Sequence, residues 1–147
     1  MADLTTITGK DRIFNGVTNS GTTDISEFVE TLTDFTQSGN ACTLDFTSGN
    51  VFYFTGTDFS GNYTVNLTNV PTSNGKATVF SIIHTQGSTG YYPSTLNING
   101  ASATIKWLGG EVPTPTNSGL DVFTFTILRR SSAFEVLGSS QVTFASV

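Results

Sequence analysis

The feature that most constrains the fold is the regular alternation, from about Glu27 onward, of short apolar runs with turn-forming clusters. The runs are rich in Phe, Val, Ile, Tyr and Thr, which favour strands, and the clusters are rich in Gly, Asn, Ser and Pro, which favour turns. Short strands at this spacing are typical of sandwiches and barrels. Residues 26–147 are therefore predicted to form a single all-β domain, an antiparallel β-sandwich that is jelly-roll-like.

Several segments indicate how the strands pair. Residues 42–46 and 51–55 flank a Ser-Gly-Asn turn and are predicted to form a hairpin. Asn99-Gly100 predicts a second, tighter hairpin, because both residues of such a turn need positive φ. The apolar segment 77–85 predicts a central strand covered on both faces, and residues 120–129 predict the longest strand, which crosses the core.

The N-terminal part of the chain has a different character. Residues 1–25 contain few large apolar side chains and predict an extended arm, which a neighbouring subunit would order. The segment 24–36 fits a helical stripe with a capping box of Asp24 and Glu27, but its Thr, Val and Phe residues favour a strand. We choose the strand on propensity and expect residues 37–40 to form a hairpin turn after it.

Composition excludes several classes of partner. The net charge is −5, and the six cations are scattered, so no basic stripe is available to neutralise a phosphate backbone. No run approaches the roughly 18 consecutive apolar residues of a membrane span. The N-terminus also lacks the basic segment followed by an apolar segment that is typical of a signal peptide. Neither nucleic acid nor membrane is an expected partner, and the protein is expected to be made in a host cytoplasm.

The residues that most often carry catalysis or bind metals are sparse. The one histidine, His84, shares strand parity with Phe80 and Ile82, and no second ligand lies at a metal-binding spacing. We interpret it as a satisfied core or interface histidine. Cys42 shares a face with apolar neighbours and is expected to be a buried small hydrophobe. No cofactor or metal is expected.

Glycoside hydrolysis would need a pair of carboxylates. Asp45 and Asp121 each alternate with large apolar residues in a strand, so each is expected to be a single solvated or hydrogen-bonded acid. No phosphate loop, calcium loop or nucleophile elbow is present. The chain is therefore expected not to be an enzyme. The full set of candidate acids is Asp45, Asp58, Glu111, Asp121 and Glu135.

Two loops carry aromatic side chains suited to binding a partner. Tyr91 and Tyr92 are adjacent between strands, and neighbours on extended backbone point opposite ways, so at least one could be exposed. An exposed Tyr is a good anchor for a protein or sugar partner. The alternative is that these Tyr side chains pack over the end of the sandwich. Trp107 lies at a strand end before a loop rich in Gly and Pro, and we expect it to fix that loop to the core.

Three segments, in this order, carry a resemblance. They are Gly49-Asn50-Val51-Phe52, then Lys106-Trp107 followed by Gly109-Gly110 and a Pro-Thr pair, then Leu120-Asp121-Val122-Phe123-Thr124-Phe125. Together they resemble a recurrent β-domain of virion proteins of tailed phages, particularly marine and cyanobacterial ones. In that group the domain occurs in tail-fibre and appendage proteins and in small structural proteins. The resemblance covers about residues 41–144 and implies no catalytic residues.

The resemblance implies a bacteriophage virion structural protein. The chain begins at Met1 and has no repeated or coiled shaft, which a fibre needs for length. We therefore expect a capsid decoration (cement) protein on the particle exterior, which binds and stabilises the outer capsid surface as a homotrimer. Its partners would be the major capsid protein or other virion proteins.

Two sets of residues are candidates for these contacts. The arm has its densest mixture of charged and apolar side chains at Lys10, Asp11, Arg12, Ile13 and Phe14, which we predict to contact the capsid or a neighbouring subunit. In the alternative, the chain is a tail-fibre or appendage tip protein. Its surface-binding loops, with Tyr91, Tyr92 and Trp107, would then meet a host-surface glycan or protein.

Overall fold

The computed structural model describes residues 29–54 and 59–144. These residues form two β-sheets that pack face to face around an apolar core. A short 3-10 turn, Leu108–Gly110, follows β9. The strands in chain order are β1 (Leu32–Phe35), β2 (Gln37–Ser38), β3 (Ala41–Asp45), β4 (Val51–Phe54), β5 (Tyr63–Thr68), β6 (Lys76–Thr85), β7 (Pro93–Ile98), β8 (Ala101–Ala103), β9 (Ile105–Trp107), β10 (Leu120–Arg130) and β11 (Ala133–Phe144).

The larger sheet has the order β1-β4-β6-β10-β11-β9, and the smaller sheet has the order β2-β3-β5-β7-β8. From β3 to β7 the chain alternates between the two sheets, so successive strands in one sheet lie side by side and parallel. β1 is also parallel to β4, and β9 to β11. Antiparallel pairs join β10 to both β6 and β11, β2 to β3, and β7 to β8.

The predicted all-β sandwich is confirmed, but its pairing is mixed and differs from the antiparallel, jelly-roll-like pairing that we expected. The hairpin predicted for β3 and β4 is wrong, because the turn at residues 48–50 carries the chain from the smaller sheet to the larger. Gly49 has a φ of 138°, and a Cβ on it would lie 2.8 Å from the backbone oxygen of Thr31. This close approach lets the turn pass beside the start of β1.

Other predicted elements are found in the structure. Residues 32–35 form a strand, which confirms the strand interpretation of that part of the ambiguous segment, and Gly39 lies in the turn between β2 and β3. The Asn99-Gly100 turn joins β7 to β8, with φ values of 50° and 83°. β10 crosses the core as predicted, although β11 is one residue longer. The predicted arm, residues 1–25, lies outside the described residues.

The inner faces of both sheets meet in a core rich in aromatic rings. Phe80 of β6 stacks on Phe125 of β10 with ring centroids 4.8 Å apart. Phe59 stacks on Tyr63 at 4.0 Å. β6 is central as predicted, but coverage on both faces is wrong, because Val79, which points away from the core, is 49% exposed. One face of the larger sheet is therefore left open to solvent.

Gly138 of β11 leaves the space that the ring of Trp107 fills. A Cβ on Gly138 would lie 2.8 Å from Trp107 Cε3 and 2.8 Å from Ile105 Cγ2. The Trp107 ring in turn contacts Phe125, with centroids 5.6 Å apart. The parallel pairing of β9 with β11 therefore depends on a residue without a side chain at this position.

We expect Gly138→Ala to lower the free energy of unfolding by about 1–3 kcal/mol, because the added methyl group overpacks this contact. Denaturant unfolding followed by fluorescence measures both stability and ring environment, since Trp107 is the only tryptophan. Ser140→Ala, at an exposed position of the same strand, is the matched control. Unchanged stability and unchanged emission in Gly138→Ala would contradict the packing.

Candidate functional site

The aromatic residues predicted for the surface-binding loops all pack against the core. The rings of Tyr92 and Trp107 meet edge to face, with centroids 6.1 Å apart. Tyr91 is also partly buried, and its backbone is held at both ends by Gln86. Gln86 Nε2 donates to the Tyr91 carbonyl at 2.7 Å, and the Tyr91 N–H donates to Gln86 Oε1 at 2.9 Å. The expected fixing of the loop by Trp107 is confirmed by its contact with the Phe125 ring.

A fully buried carboxylate, Asp121, lies at the start of β10. Its Oδ2 accepts hydrogen bonds from Gln86 Nε2 at 3.0 Å and from the Thr116 N–H at 2.9 Å. Its Oδ1 accepts from the Thr143 N–H at 3.1 Å. The side chain thus joins the end of β6, the loop before β10 and the end of β11, which is a structural role.

His84 lies directly opposite Asp121 in the register of β6 and β10 and is buried among aromatic rings. Its Nδ1 is 3.4 Å from the Tyr63 hydroxyl, and the Phe54 and Phe59 rings contact it edge to face. Burial lowers the pKa of His84 to about 4, although the nearby Asp121 charge acts in the opposite direction. The prediction of a satisfied core histidine is confirmed.

Cys42 is buried on the inner face of β3, as predicted for a small hydrophobe. Burial raises the pKa of its thiol to about 12. Burial also raises the pKa of the neighbouring Tyr63 hydroxyl well above its ordinary value. Both groups are protonated at neutral pH, so neither is a ready nucleophile or metal ligand.

Asp45 caps the turn that follows β3. Its Oδ1 accepts from Asn69 Nδ2 at 2.8 Å and from the Thr47 N–H and hydroxyl at 2.9 and 2.8 Å. These hydrogen bonds, that from Asn69 most of all, lower the pKa of the carboxyl. Asp45 is paired with Thr68 at the far end of β5 from the buried His84 cluster, so it does not meet Asp121.

The remaining candidate acids are also separate. Glu135 accepts from Lys106 Nζ at 2.5 Å and lies 3.9 Å from Arg130, and the bond from Lys106 is the main reason that the pKa of its carboxyl is lowered. Glu111 is exposed in a loop, and Asp58 lies outside the described residues. Asp45, Asp121 and Glu135 are thus each bound to separate partners and do not form a carboxylate pair. This agrees with the single hydrogen-bonded acids that the sequence predicts for Asp45 and Asp121.

One broad surface stands out, on the side of the larger sheet that faces away from the core. We call it the outer apolar face and define it by the side chains that alternate with buried ones. The register places them in cross-strand rows. The rows are Asp34, Tyr53, Ile83, Val122 and Gln141; Leu32, Val51, Ser81, Thr124 and Ser139; Val79, Thr126, Leu137 and Lys106; and Ala77, Leu128 and Glu135.

The outer apolar face carries few charges. Lys106 and Glu135 form an ion pair at its β9 edge, and Arg130 lies beside them. Asp34 and Gln141 lie at the two ends of the row that contains Tyr53. The remaining residues are aliphatic, aromatic or hydroxylic, and Val79 and Leu137 are 49% and 42% exposed. Sequence reasoning missed this surface because an apolar strand such as β6 was taken to be covered on both sides.

The corresponding face of the smaller sheet is polar. Its cross-strand rows contain Thr43, Asn66, Asn97 and Ser102, and Ala41, Thr64 and Thr95. Asn97 Nδ2 donates to Asn66 Oδ1 at 2.8 Å, which satisfies amide groups on adjacent parallel strands. The two outward faces of one sandwich therefore differ sharply in chemistry.

The predicted contact residues of the arm, Lys10, Asp11, Arg12, Ile13 and Phe14, lie outside the described residues. Within residues 29–54 and 59–144, no group of three or more His, Cys, Asp or Glu side chains is placed to hold a metal ion. The same part of the chain contains no helix long and apolar enough to cross a membrane. Searches of protein-family models, curated proteins and solved structures find no match to this chain.

Proposed function

We propose that this chain is a non-enzymatic structural protein of a bacteriophage particle, and specifically a capsid decoration protein that binds the outer capsid surface. The outer apolar face is the observation that supports a role in protein contacts most directly. The order of the segments 49–52, 106–110 and 120–125, which resembles the phage virion β-domain, supports the particle as the place of those contacts.

The architecture suits a protein that acts by contact. A sheet face backed by a packed aromatic core presents its side chains without first having to order the backbone, so less conformational entropy opposes binding. Each square ångström of apolar surface that is removed from water contributes about 25 cal/mol of favourable free energy. Many copies of a modest contact would therefore add substantially to the stability of a shell under internal pressure.

The groups that could carry chemistry are used within the fold. Asp121 accepts three hydrogen bonds, and His84 is enclosed by aromatic rings. Their burial supports the non-enzymatic part of the proposal, since a substrate cannot reach either side chain without opening the sandwich. The proposed partners are the major capsid protein or other virion proteins, and the proposed assembly state is a homotrimer.

Rebinding to particles tests the proposal. Particles of the encoding phage are prepared with the gene for this chain deleted, the purified full-length chain is added, and bound protein is separated on a density gradient. We expect saturable binding at a fixed number of copies per particle. Protein that remains at the top of the gradient at every concentration would overturn the proposal, and particles that already carry the wild-type chain are the matched control for occupied sites.

A further inference from the structure

We propose that the outer apolar face binds a second copy of this chain. This inference deepens the proposed contact function by naming the partner of that surface. It rests on that function only in requiring the face to be a protein contact, and it does not depend on where in a particle the chain lies. Two identical faces that meet are related by a twofold axis, so this contact is separate from the threefold contacts of the proposed homotrimer.

The size of the face fits such a contact. β6, β10 and β11 are 10, 11 and 12 residues long. At about 3.3 Å per residue and about 4.8 Å between strands, these three strands, with the shorter β1, β4 and β9, present roughly 700 Å² of sheet area. A standard protein interface buries about 800 Å² on each partner, so the face is of comparable size.

The charge distribution favours a copy of the chain over a charged partner. The chain has a net charge of −5, yet the outer apolar face carries two acids, Asp34 and Glu135, and two bases, Lys106 and Arg130, so it has no acidic excess. A strongly basic or acidic partner would find no excess of complementary charge there. A second copy presents the same balanced surface, so no net charge repulsion opposes the contact of two such faces.

The smaller sheet provides an internal comparison. Its outward residues on β5 are Thr64, Asn66 and Thr68, the polar pattern of a sheet face in water. On β6 the outward residues are Ala77, Val79, Ser81, Ile83 and Thr85, of which three are apolar and none carries an amide or a charge. Both faces belong to the same sandwich, so the difference points to different surroundings. We infer that the smaller sheet faces water and the larger sheet faces protein.

The outer apolar face also has projecting side chains and a hollow, a shape that suits packing against a second copy. Val79 and Leu137 project on either side of Thr126 in one cross-strand row. A hollow of about 370 Å³ lies beside this row and is lined in part by Leu108 and Thr124. Leu108 is 80% exposed at its rim. A projecting aliphatic side chain from the copy can enter this hollow and be removed from water.

Sedimentation velocity of the full-length chain over a wide concentration range tests the inference. We expect the wild-type chain to self-associate, and Val79→Lys to weaken the dissociation constant about a hundredfold, because a lysine in the centre of the contact leaves a buried unpaired charge. Val112→Lys is the matched control, since Val112 is an exposed valine in a loop after β9, 57% exposed against 49% for Val79. It should associate as the wild type does.

Leu137→Lys on the neighbouring strand is the second variant, which keeps the test decisive if Val79→Lys does not fold. Circular dichroism and thermal unfolding establish folding for each variant. A wild-type chain that is monomeric throughout, or association unchanged in a folded Val79→Lys or Leu137→Lys variant, overturns the inference. Self-association without rebinding to particles would overturn the proposed function alone, whereas rebinding by a monomeric chain would overturn this inference alone.

Discussion

Replacement of Asp121 with alanine is expected to lower the free energy of unfolding by about 3–5 kcal/mol, because three donors lose their acceptor at once. Those donors are Gln86 Nε2 and the N–H groups of Thr116 and Thr143. Asp121 is fully buried, so water cannot replace the carboxylate without entering the core. The loss should separate the end of β11 from the start of β10.

Urea denaturation of the purified chain measures this effect. Asp121→Asn retains one acceptor oxygen and should lose less stability than Asp121→Ala, and it keeps the experiment readable if the alanine variant does not fold. Glu111→Ala, at an exposed loop position, is the control and should stay within about 0.5 kcal/mol of the wild type. Equal stabilities of Asp121→Ala and Glu111→Ala would contradict the structural role of the Asp121 carboxylate.

Acidification is expected to destabilise the fold through His84. Its pKa is about 4 in the folded chain against an ordinary value of 6.5, so between these pH values the unfolded chain binds more protons than the folded one. The stabilising contribution of neutral His84 is therefore complete above pH 6.5 and declines as the pH falls towards 4. The difference of about 2.5 pKa units corresponds to about 3 kcal/mol.

The free energy of unfolding, measured from pH 7 to pH 4 for the wild type and for His84→Gln, isolates this contribution. Glutamine does not titrate and can still hydrogen-bond to the Tyr63 hydroxyl. Both proteins contain the same carboxyl groups, so the difference between the two curves reports the contribution of His84. Between pH 7 and pH 4 we expect the wild type to lose about 3 kcal/mol more of its free energy of unfolding than His84→Gln does. Parallel curves would show that His84 is not held neutral by burial.

The sequence indicates well which side chains are buried. Alternation along β10 correctly assigns Phe123, Phe125 and Ile127 to the core, and the parity of β6 places His84 inside. Alternation has a period of two, so it distinguishes the two sides of a strand but does not identify the sheet in which the strand lies. For that reason the turn at Gly49 was expected to close a hairpin, whereas it joins two sheets.

The candidate site was harder to foresee because it arises from long-range pairing. The outer apolar face is assembled from β1, β4, β6, β10, β11 and β9, and only the sheet order brings their outward residues into rows. The meeting of Tyr92 with Trp107 likewise depends on the parallel pairing of β9 with β11 and on the space left at Gly138. Residue type alone indicates that Tyr92 and Trp107 could contact a binding partner, but it does not indicate that their rings pack against each other.

The copy number of the chain in purified particles tests the proposed decoration role most directly. Quantitative mass spectrometry gives the ratio of this chain to the major capsid protein without assuming any fold. Because decoration follows the symmetry of the shell, we expect a ratio near one or near a simple fraction of one. A ratio below about one in twenty would contradict decoration and favour an appendage tip that meets the host surface.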